Sequence, residues 1–139
     1  YHLPLVFESL SEHLNYHWCL SYLVEGLQSV QIFPRKIIVA WKPVLWFVNG
    51  KYSGDWVHDL VKTSINNNDK RFHKWGQSLQ GFESLIDKFS SPGDLVLDPF
   101  LGGGTTAIAA LKMNRKFIGS DDDKKCIEIT QKRISNVFS

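Results

Sequence analysis

The sequence has little of several features that define whole classes of protein. Its 139 residues include two cysteines, Cys19 and Cys126, which are far apart and lack the spacing of metal ligands. This argues against a disulfide-stapled secreted scaffold and predicts free thiols in a reducing compartment, with no metal site. The formal net charge is only +2, so charge alone does not indicate a nucleic-acid partner. Neither a signal peptide nor an apolar run of membrane length is present, and we therefore expect a cytoplasmic protein.

The composition is that of a folded protein. Hydrophobic residues make up 43% of the chain and aromatic residues 13%, which is enough to form a packed core. The length predicts a single domain over residues 1–139. Because the chain begins at Tyr1 and not at Met, we expect it to be part of a longer protein.

The stretch Ser91–Asp123 has the pattern around which the rest of the chain is organised. Its predicted elements are the buried parallel strand Leu95–Leu97, the helix Thr105–Met113 and the strand Phe117–Gly119. Three consecutive glycines lie between the first strand and the helix, where the absence of side chains lets a ligand approach the backbone. The pattern predicts a βαβ nucleotide-binding unit with its ligand over the carboxyl ends of the strands.

Three ligand classes use a loop of this kind. A phosphate-binding P-loop needs a lysine after its last glycine, but Thr105 follows Gly104, which disfavours that class. A dinucleotide site is allowed, because Gly102, Gly104 and Ala107 fit G-x-G-x-x-A and Asp121 lies at a suitable distance for ribose hydroxyls. S-adenosylmethionine (SAM) uses the same ribose contact. It also needs a partner for its cationic amino group, and the carboxylate of Asp98 modestly favours SAM over a dinucleotide.

The string Asp98–Thr106, followed by Phe117–Gly119 and Asp121, resembles the SAM motif of the DNA amino-methyltransferases. These enzymes methylate adenine N6 or cytosine N4, as in restriction-modification systems. The resemblance implies an α/β, Rossmann-like, SAM-dependent methyltransferase fold with a truncated sheet, SAM as cofactor and DNA as partner. It also allows a homodimer and implies no membrane. The implied cofactor-binding residues here are Asp98, Pro99, Phe100, Gly102, Gly104, Thr105 and Asp121.

A second predicted wall of the cofactor pocket lies before the next helix upstream. Ser78 is a candidate N-cap for a helix that ends near Phe89. In the resembled family, a segment that begins with His and ends in Gln or Lys precedes this helix, and His73 and Gln77 match it in degraded form. Gln77 and Ser78 are therefore predicted to bind the SAM carboxylate at the helix N-terminus. The alternative is a loop and a helix cap with no ligand.

The flanking segments predict further elements. These are a helix over 1–14, strands over 16–24, 37–41 and 44–48, a strand or turn over 55–61, a loop over 66–69 and a helix over 124–137. Trp41, Trp46 and Phe47 are predicted core residues. Arg35, Lys36 and Lys42 fit either a DNA backbone contact or a solvated sheet edge. In the last predicted helix, three apolar side chains are expected to face the core, namely Ile127, Ile134 and Val137. Three basic side chains are expected to face the solvent, namely Lys125, Lys132 and Arg133.

The catalytic motif of the resembled family is missing. That motif is Asp, Asn or Ser, then Pro-Pro and an aromatic residue, and it holds the amine of a flipped-out base. No two of the five prolines are adjacent here, so no catalytic residue is predicted. The family order places the motif upstream of Tyr1. We interpret the chain as the C-terminal, SAM-binding part of such an enzyme, inactive alone.

Two further positions depart from the family pattern. Gly103 replaces a more common Ser, which only loosens the loop. Asp122 stands where an apolar residue packs on adenine, and this puts the affinity for SAM in question. A non-catalytic remnant or binding subunit is therefore one alternative, favoured by Asp122 and by the missing proline pair. An NAD-type enzyme is the other, allowed by the glycine spacing and disfavoured by Asp98.

Overall fold

A computed structural model of the protein describes residues 2–26, 30–64 and 77–138. The chain forms two compact units, one made of Tyr1–Leu23 with Gln28–Val61 and the other of Val24–Leu27 with Lys62–Ser139. The single domain expected over residues 1–139 stays a prediction. His73 and the predicted loop at 66–69 lie outside the described residues. Within the described ranges, no helix is long and apolar enough to cross a membrane.

The described residues 2–26 and 30–64 contain one helix and five strands. They are α1 (Leu3–Ser11), β1 (Asn15–Glu25), β2 (Val30–Ile32), β3 (Ile37–Val39), β4 (Lys42–Val48) and β5 (Leu60–Ser64). β1 pairs antiparallel with β4, and the sheet order is β4-β1-β5. β2 and β3 form a separate antiparallel pair around a 3-10 turn. The helix and the three strands predicted here are confirmed apart from their ends, whereas the segment 55–61 becomes a strand only from Leu60.

A bulge interrupts β1 at His17. Tyr16 lies opposite Phe47 and Trp18 lies opposite Trp46, so His17 has no partner in the ladder. A bulge redirects the side chain of the extra residue. Here the imidazole of His17 meets the Trp46 ring nearly edge-on, with the ring centroids 4.3 Å apart.

The prediction that Trp41 is a core residue is wrong. Its side chain is 46% exposed, and Trp41 lies in the link between β3 and β4, outside both strands. Trp46 and Phe47, which lie within the paired part of β4, are half-buried. Arg35 and Lys36 are exposed, which is compatible with both of their predicted roles.

The second unit contains the predicted βαβ arrangement with a helix on each side of it in sequence. Its elements are α2 (Leu79–Phe89), β6 (Leu95–Asp98), α3 (Thr105–Lys112), β7 (Lys116–Gly119) and α4 (Lys124–Phe138). β6 and β7 are parallel, with Leu95 opposite Lys116 and Asp98 opposite Gly119. The structure is thus a mixed α/β fold with a truncated sheet, as predicted.

The core of the second unit lies between α2, α3 and one face of the two-stranded sheet. Ile86 of α2 packs with Ala109 and Ala110 of α3, and larger partly buried side chains surround them. Alanine has no side chain beyond Cβ, so the backbones of the two helices can approach closely. Packing between α2 and α3 therefore fixes where each helix begins relative to the end of β6.

The other face of β6 is open. Leu95 is 58% exposed and Leu97 is 64% exposed, so the prediction of a strand buried on both faces is wrong for this structure. Side chains alternate along a strand, and only Val96 and Asp98 point toward the helix side. Ile118, which lies opposite Leu97 on β7, is exposed on the same open face.

Candidate functional site

A cavity of about 460 Å³ lies at the carboxyl end of β6. Five of the residues predicted to bind a cofactor line it, namely Gln77, Asp98, Phe100, Gly102 and Thr105. Residues from three separate segments thus meet around one space: the approach to α2, the end of β6, and the loop into α3. The carboxyl end of a parallel strand is where α/β folds bind ligands.

The other predicted residues lie outside the cavity lining. Pro99, Gly104 and Asp121 belong to the loop and to the turn behind it. The hydroxyl of Ser78 is fully buried, 2.5 Å from the hydroxyl of Thr63, and it accepts a hydrogen bond from the Gly81 amide. Ser78 therefore caps α2, as predicted, and its hydroxyl is already occupied by these two contacts.

Four other residues line the cavity without having been predicted to bind a cofactor, namely Phe82, Leu97, Leu101 and Thr106. Phe82 lies on α2 four residues after Ser78, so its apolar helix position gave a signal for burial and none for a ligand. Together with Phe100 these side chains make the cavity mostly apolar. Among the described residues that line it, Asp98 is the only charged one, and there is no lysine or arginine.

Two glycines give the loop its shape. Gly102 has φ 51° and Gly104 has φ 75°, both in the left-handed region that other residues disfavour. The Leu101 amide donates to the Ser120 carbonyl at 3.0 Å, and the Gly104 amide donates to the Leu101 carbonyl at 2.9 Å. The loop is therefore tied both to itself and to the residue after β7.

The carboxylate of Asp98 lies where the strand ends. Its Oδ1 accepts a hydrogen bond from the Phe100 amide at 2.9 Å, which turns the chain sharply after Pro99. The Asp98 side chain is half-buried and lines the cavity. A half-buried carboxylate beside apolar walls favours a ligand with a positive charge and repels a phosphate.

Asp121 holds the glycine loop from behind. Its Oδ2 accepts a hydrogen bond from the Gly102 amide at 2.7 Å, and its Oδ1 accepts one from the Asp123 amide at 2.9 Å. These two amide donors, Gly102 first, lower the pKa of the Asp121 carboxyl from its ordinary value. The carboxylate thus stays ionised and keeps the Gly102 amide in place.

We predict that the Gly102 amide reports the ionisation of Asp121. Because the pKa of Asp121 is lowered in the folded state, its carboxyl should be fully ionised at neutral pH. The hydrogen bond from the Gly102 amide to the ionised carboxylate should be lost only as the pH falls through a value below 3.8. The ¹H–¹⁵N shift of Gly102 measures this midpoint. The Gly93 amide, which donates to the Asn114 carbonyl, is the control. A midpoint at or above 3.8, or an unchanged titration in Asp121→Asn, would contradict the assignment.

Helix α4 contacts the glycine loop through two side chains. Arg133 is only 8% exposed, and its guanidinium donates a hydrogen bond to the Gly103 carbonyl. Thr130, one turn earlier, is buried against Gly104, so a Cβ on that glycine would lie 2.6 Å from the Thr130 Cγ2. The predicted outward direction of Arg133 is therefore wrong, and so is the inward direction of Val137, which is exposed.

The inward face of α4 consists instead of Cys126, Thr130 and Arg133. They follow the i, i+4, i+7 spacing of one helix face, but two of them are polar, so a search for apolar residues misses them. The Cys126 thiol lies near Asp121. Burial, and then the nearby negative charges of Asp121 and Asp123, raise the pKa of this thiol. It is therefore a structural thiol and not a reactive one.

Helix α3 directs its N-terminus at the cavity. Thr105 and Thr106, in its first turn, both line the space. The first N–H groups of a helix have no partner within the helix and carry partial positive charge. The site therefore combines an acidic strand end, a glycine loop, a helix N-terminus and an apolar wall. Among the described residues, no group of His, Cys, Asp or Glu side chains could hold a metal ion.

The chain belongs to the DNA methylase family of N6 and N4 methyltransferases. Residues 55–132, more than half of the chain, match the family's sequence profile. They include α2, the glycine loop, Asp121 and two residues of the inward face of α4, Cys126 and Thr130.

Curated relatives share part of the sequence. The type II methyltransferase M2.LlaDCHI of Lactococcus lactis is 36% identical over 90 residues, which are 64% of this chain and 33% of that protein. The type II methyltransferase M.HindIII of Haemophilus influenzae is 36% identical over 76 residues, which are 55% of this chain and 25% of that protein. The matched region thus spans a quarter to a third of these relatives.

Solved structures share the fold. The complex of M1.HpyAVI with SAM superposes with a TM-score of 0.78 at 21% identity, over 96% of this chain and 69% of that chain. The cytosine-N4-specific PvuII DNA methyltransferase gives a TM-score of 0.68 at 17% identity, over 96% and 60%. The Rossmann-like methyltransferase fold predicted from the sequence is confirmed by these two structures.

Proposed function

We propose that this chain is the SAM-binding part of a DNA methyltransferase that acts on adenine N6 or cytosine N4. The observation that carries the proposal is the placement of Asp98 in the wall of the cavity, beside the glycine loop and the first turn of α3. SAM carries a sulfonium and an ammonium group, so a carboxylate favours it, whereas a dinucleotide would bring a pyrophosphate toward the same negative charge.

Each part of the site has a proposed role toward SAM. Asp98 accepts hydrogen bonds from the ammonium group, and Phe100 packs against an apolar part of the ligand. Gly102 lets the ligand approach the backbone. Gln77 and Thr105 donate to the carboxylate, with help from the helix N-termini behind them. Bound SAM supplies an electrophilic methyl group, and these residues hold and orient it.

Three predicted residues have supporting roles in this proposal. Asp121 keeps the loop in position through the Gly102 amide, and each of its oxygens still has acceptor capacity for a ribose hydroxyl. Ser78 acts through α2 because its hydroxyl is occupied within the protein. Pro99 and Gly104 shape the turn and do not contact the ligand. Asp122 is exposed and does not line the cavity, so it has no packing role toward the ligand.

DNA is the proposed substrate because the family acts on DNA. A cytoplasmic location and a homodimer belong to the same proposal and rest on the family resemblance. A second candidate is a binding subunit or remnant without transfer activity. The absence of adjacent prolines from the sequence favours it.

We expect SAM to bind this chain and NAD not to bind, as measured by calorimetry. Gly102→Val should abolish detectable SAM binding, because a β-branched side chain would block the backbone surface at the ligand. A Cβ at Gly102 faces open space, with only the Phe100 carbonyl oxygen 3.9 Å away, so loss of binding would not come from a clash within the protein. The backbone strain of a side chain at positive φ remains, and the control has to carry the same strain.

Gly50→Val is the matched control for this experiment. Gly50 also has positive φ, at 79°, and open space around its Cβ position, but it lies outside the cavity. The control should bind SAM within a factor of about two of the parent chain. If Gly102→Val binds SAM normally, the pocket is elsewhere. If NAD binds and SAM does not, the dinucleotide alternative is correct.

A further inference from the structure

A second cavity, of about 670 Å³, lies in the first unit and has no role in the proposed SAM site. It is formed by the bulged part of β1, by β4 and by the segment that follows β4. Aromatic side chains line much of it, namely His17, Trp18, Trp46, Tyr52 and Trp56. Among the described residues, none lines both this cavity and the proposed SAM cavity.

Three of these rings form a packed base. The Trp46 ring is nearly perpendicular to the Tyr52 ring, with centroids 4.7 Å apart, and His17 contacts both of them. The bulge at His17 is what turns its imidazole toward this cluster. The Trp56 indole is fully exposed and the Trp18 indole is about half exposed. Two indoles therefore offer uncovered ring surface around an ordered aromatic base.

Hydrogen bonds hold the wall formed by residues 49–59. Asn15 donates to the Gly50 carbonyl at 2.8 Å, and the Tyr52 hydroxyl donates to the Asp55 carbonyl at 2.8 Å. The Trp18 indole N–H donates to the Asp59 carboxylate at 3.2 Å. Hydrogen bonds thus fix this segment near its start, in its middle and at its end. The cavity is therefore a defined feature of the first unit.

The charges that line the cavity are negative. Asp55 and Asp59 both line it, and no lysine or arginine is among its described lining residues. Within the described part of the chain, the Asp55 carboxylate makes no hydrogen bond or ion pair. Indole faces and carboxylates both attract cations. The same carboxylates repel nucleic-acid phosphates, although exposed indoles alone could stack on a base.

We propose that this cavity binds a lysine or arginine side chain presented by a partner polypeptide. The indole faces of Trp18 and Trp56 contact the cation, and Asp55 pairs with its charge. Asp59 adds negative potential while it keeps Trp18 in place. Charge complementarity selects this occupant, and its binding does not depend on SAM.

The test uses the whole chain and two end-blocked tripeptides, Gly-Arg-Gly and Gly-citrulline-Gly, with binding followed by calorimetry and tryptophan fluorescence. Citrulline has nearly the same shape as arginine but no charge, so only the arginine peptide should bind. Trp56→Ala and Asp55→Asn should each weaken binding about fivefold. Trp41→Ala removes an exposed tryptophan that does not line the cavity, and it should leave binding unchanged.

Three outcomes would overturn the proposal. Equal binding of the two tripeptides would mean that charge plays no part. Binding of single-stranded oligothymidylate that is lost in Trp56→Ala, with no binding of the arginine peptide, would assign the surface to nucleic-acid bases. If neither probe binds, the aromatic cluster serves only to pack the segment after β4. Circular dichroism of each variant establishes that the comparison is between folded proteins.

Discussion

The 139-residue chain, incubated with DNA and methyl-labelled SAM, is expected to transfer no methyl groups. A longer protein that also carries an Asp-Pro-Pro-Tyr-like segment is expected to transfer them. Transfer needs the nitrogen lone pair of the base to point at the methyl carbon. In the resembled family, the missing motif supplies the two acceptors that orient the amine. Such orientation supplies about 7–11 kcal/mol of a barrier, so without it no transfer should be measurable.

The control for this experiment is the longer protein with the acidic residue of that segment replaced by alanine. It should bind SAM as the parent does and lose transfer, which separates the methyl donor site from the base site. If the 139-residue chain methylates DNA unaided, some residue within it replaces the motif and the proposed division of roles fails. If the longer protein binds SAM and stays inert, the non-catalytic alternative is the better description.

Gly104→Ala is expected to destabilise the fold by about 2–5 kcal/mol. Two effects add up. The residue has φ 75°, and a side chain in the left-handed region costs about 1–2 kcal/mol. The new Cβ would also overlap the buried side chain of Thr130, and such overpacking typically costs about 1–3 kcal/mol. Denaturant unfolding followed by circular dichroism measures the change.

Gly102→Ala is the matched control, since it carries the same φ penalty without the overlap. It should cost about 1–2 kcal/mol. Combining Gly104→Ala with Thr130→Ala should recover part of the loss, because two of the three overlapping atoms, Oγ1 and Cγ2, are then removed. The Thr130 hydroxyl has no hydrogen-bonding partner within the described residues, so its removal should be inexpensive. Equal effects of Gly102→Ala and Gly104→Ala would rule out the contact with Thr130.

The βαβ unit could be predicted because every signal for it is local. The loop is recognisable from Gly102 and Gly104, because both have a positive φ that glycine adopts most easily. The helix cap at Ser78 is likewise local, since it depends on a hydrogen bond from a residue only three positions later. Short apolar runs fix the two strands. The carboxyl end of β6 follows from the order of the elements in the sequence. For this reason the position of Asp98 at the edge of the sheet, where it lines the cavity, could be predicted.

The features that sequence reasoning missed depend on contacts distant in sequence. Buried Arg133 donates a hydrogen bond to the Gly103 carbonyl, which lies thirty residues earlier in the sequence. Nothing in the local pattern distinguishes it from the exposed lysine beside it. The bulge at His17 and the cavity beside it likewise arise from the register of β1 on β4. The prediction for Trp41 is wrong because its aromatic side chain suggests burial, whereas its position in the segment that connects β3 and β4 leaves it exposed.

The open face of β6 and β7 has a consequence for the behaviour of this chain in solution. Leu95, Leu97 and Ile118 form an apolar strip on a strand pair whose other face is already filled. Such strips promote self-association as concentration rises. Colloidal solubility, and not the free energy of folding, should therefore limit the concentration at which the isolated chain can be studied. Charged substitutions at Leu95 and Ile118, which do not line the proposed SAM cavity, would raise that limit.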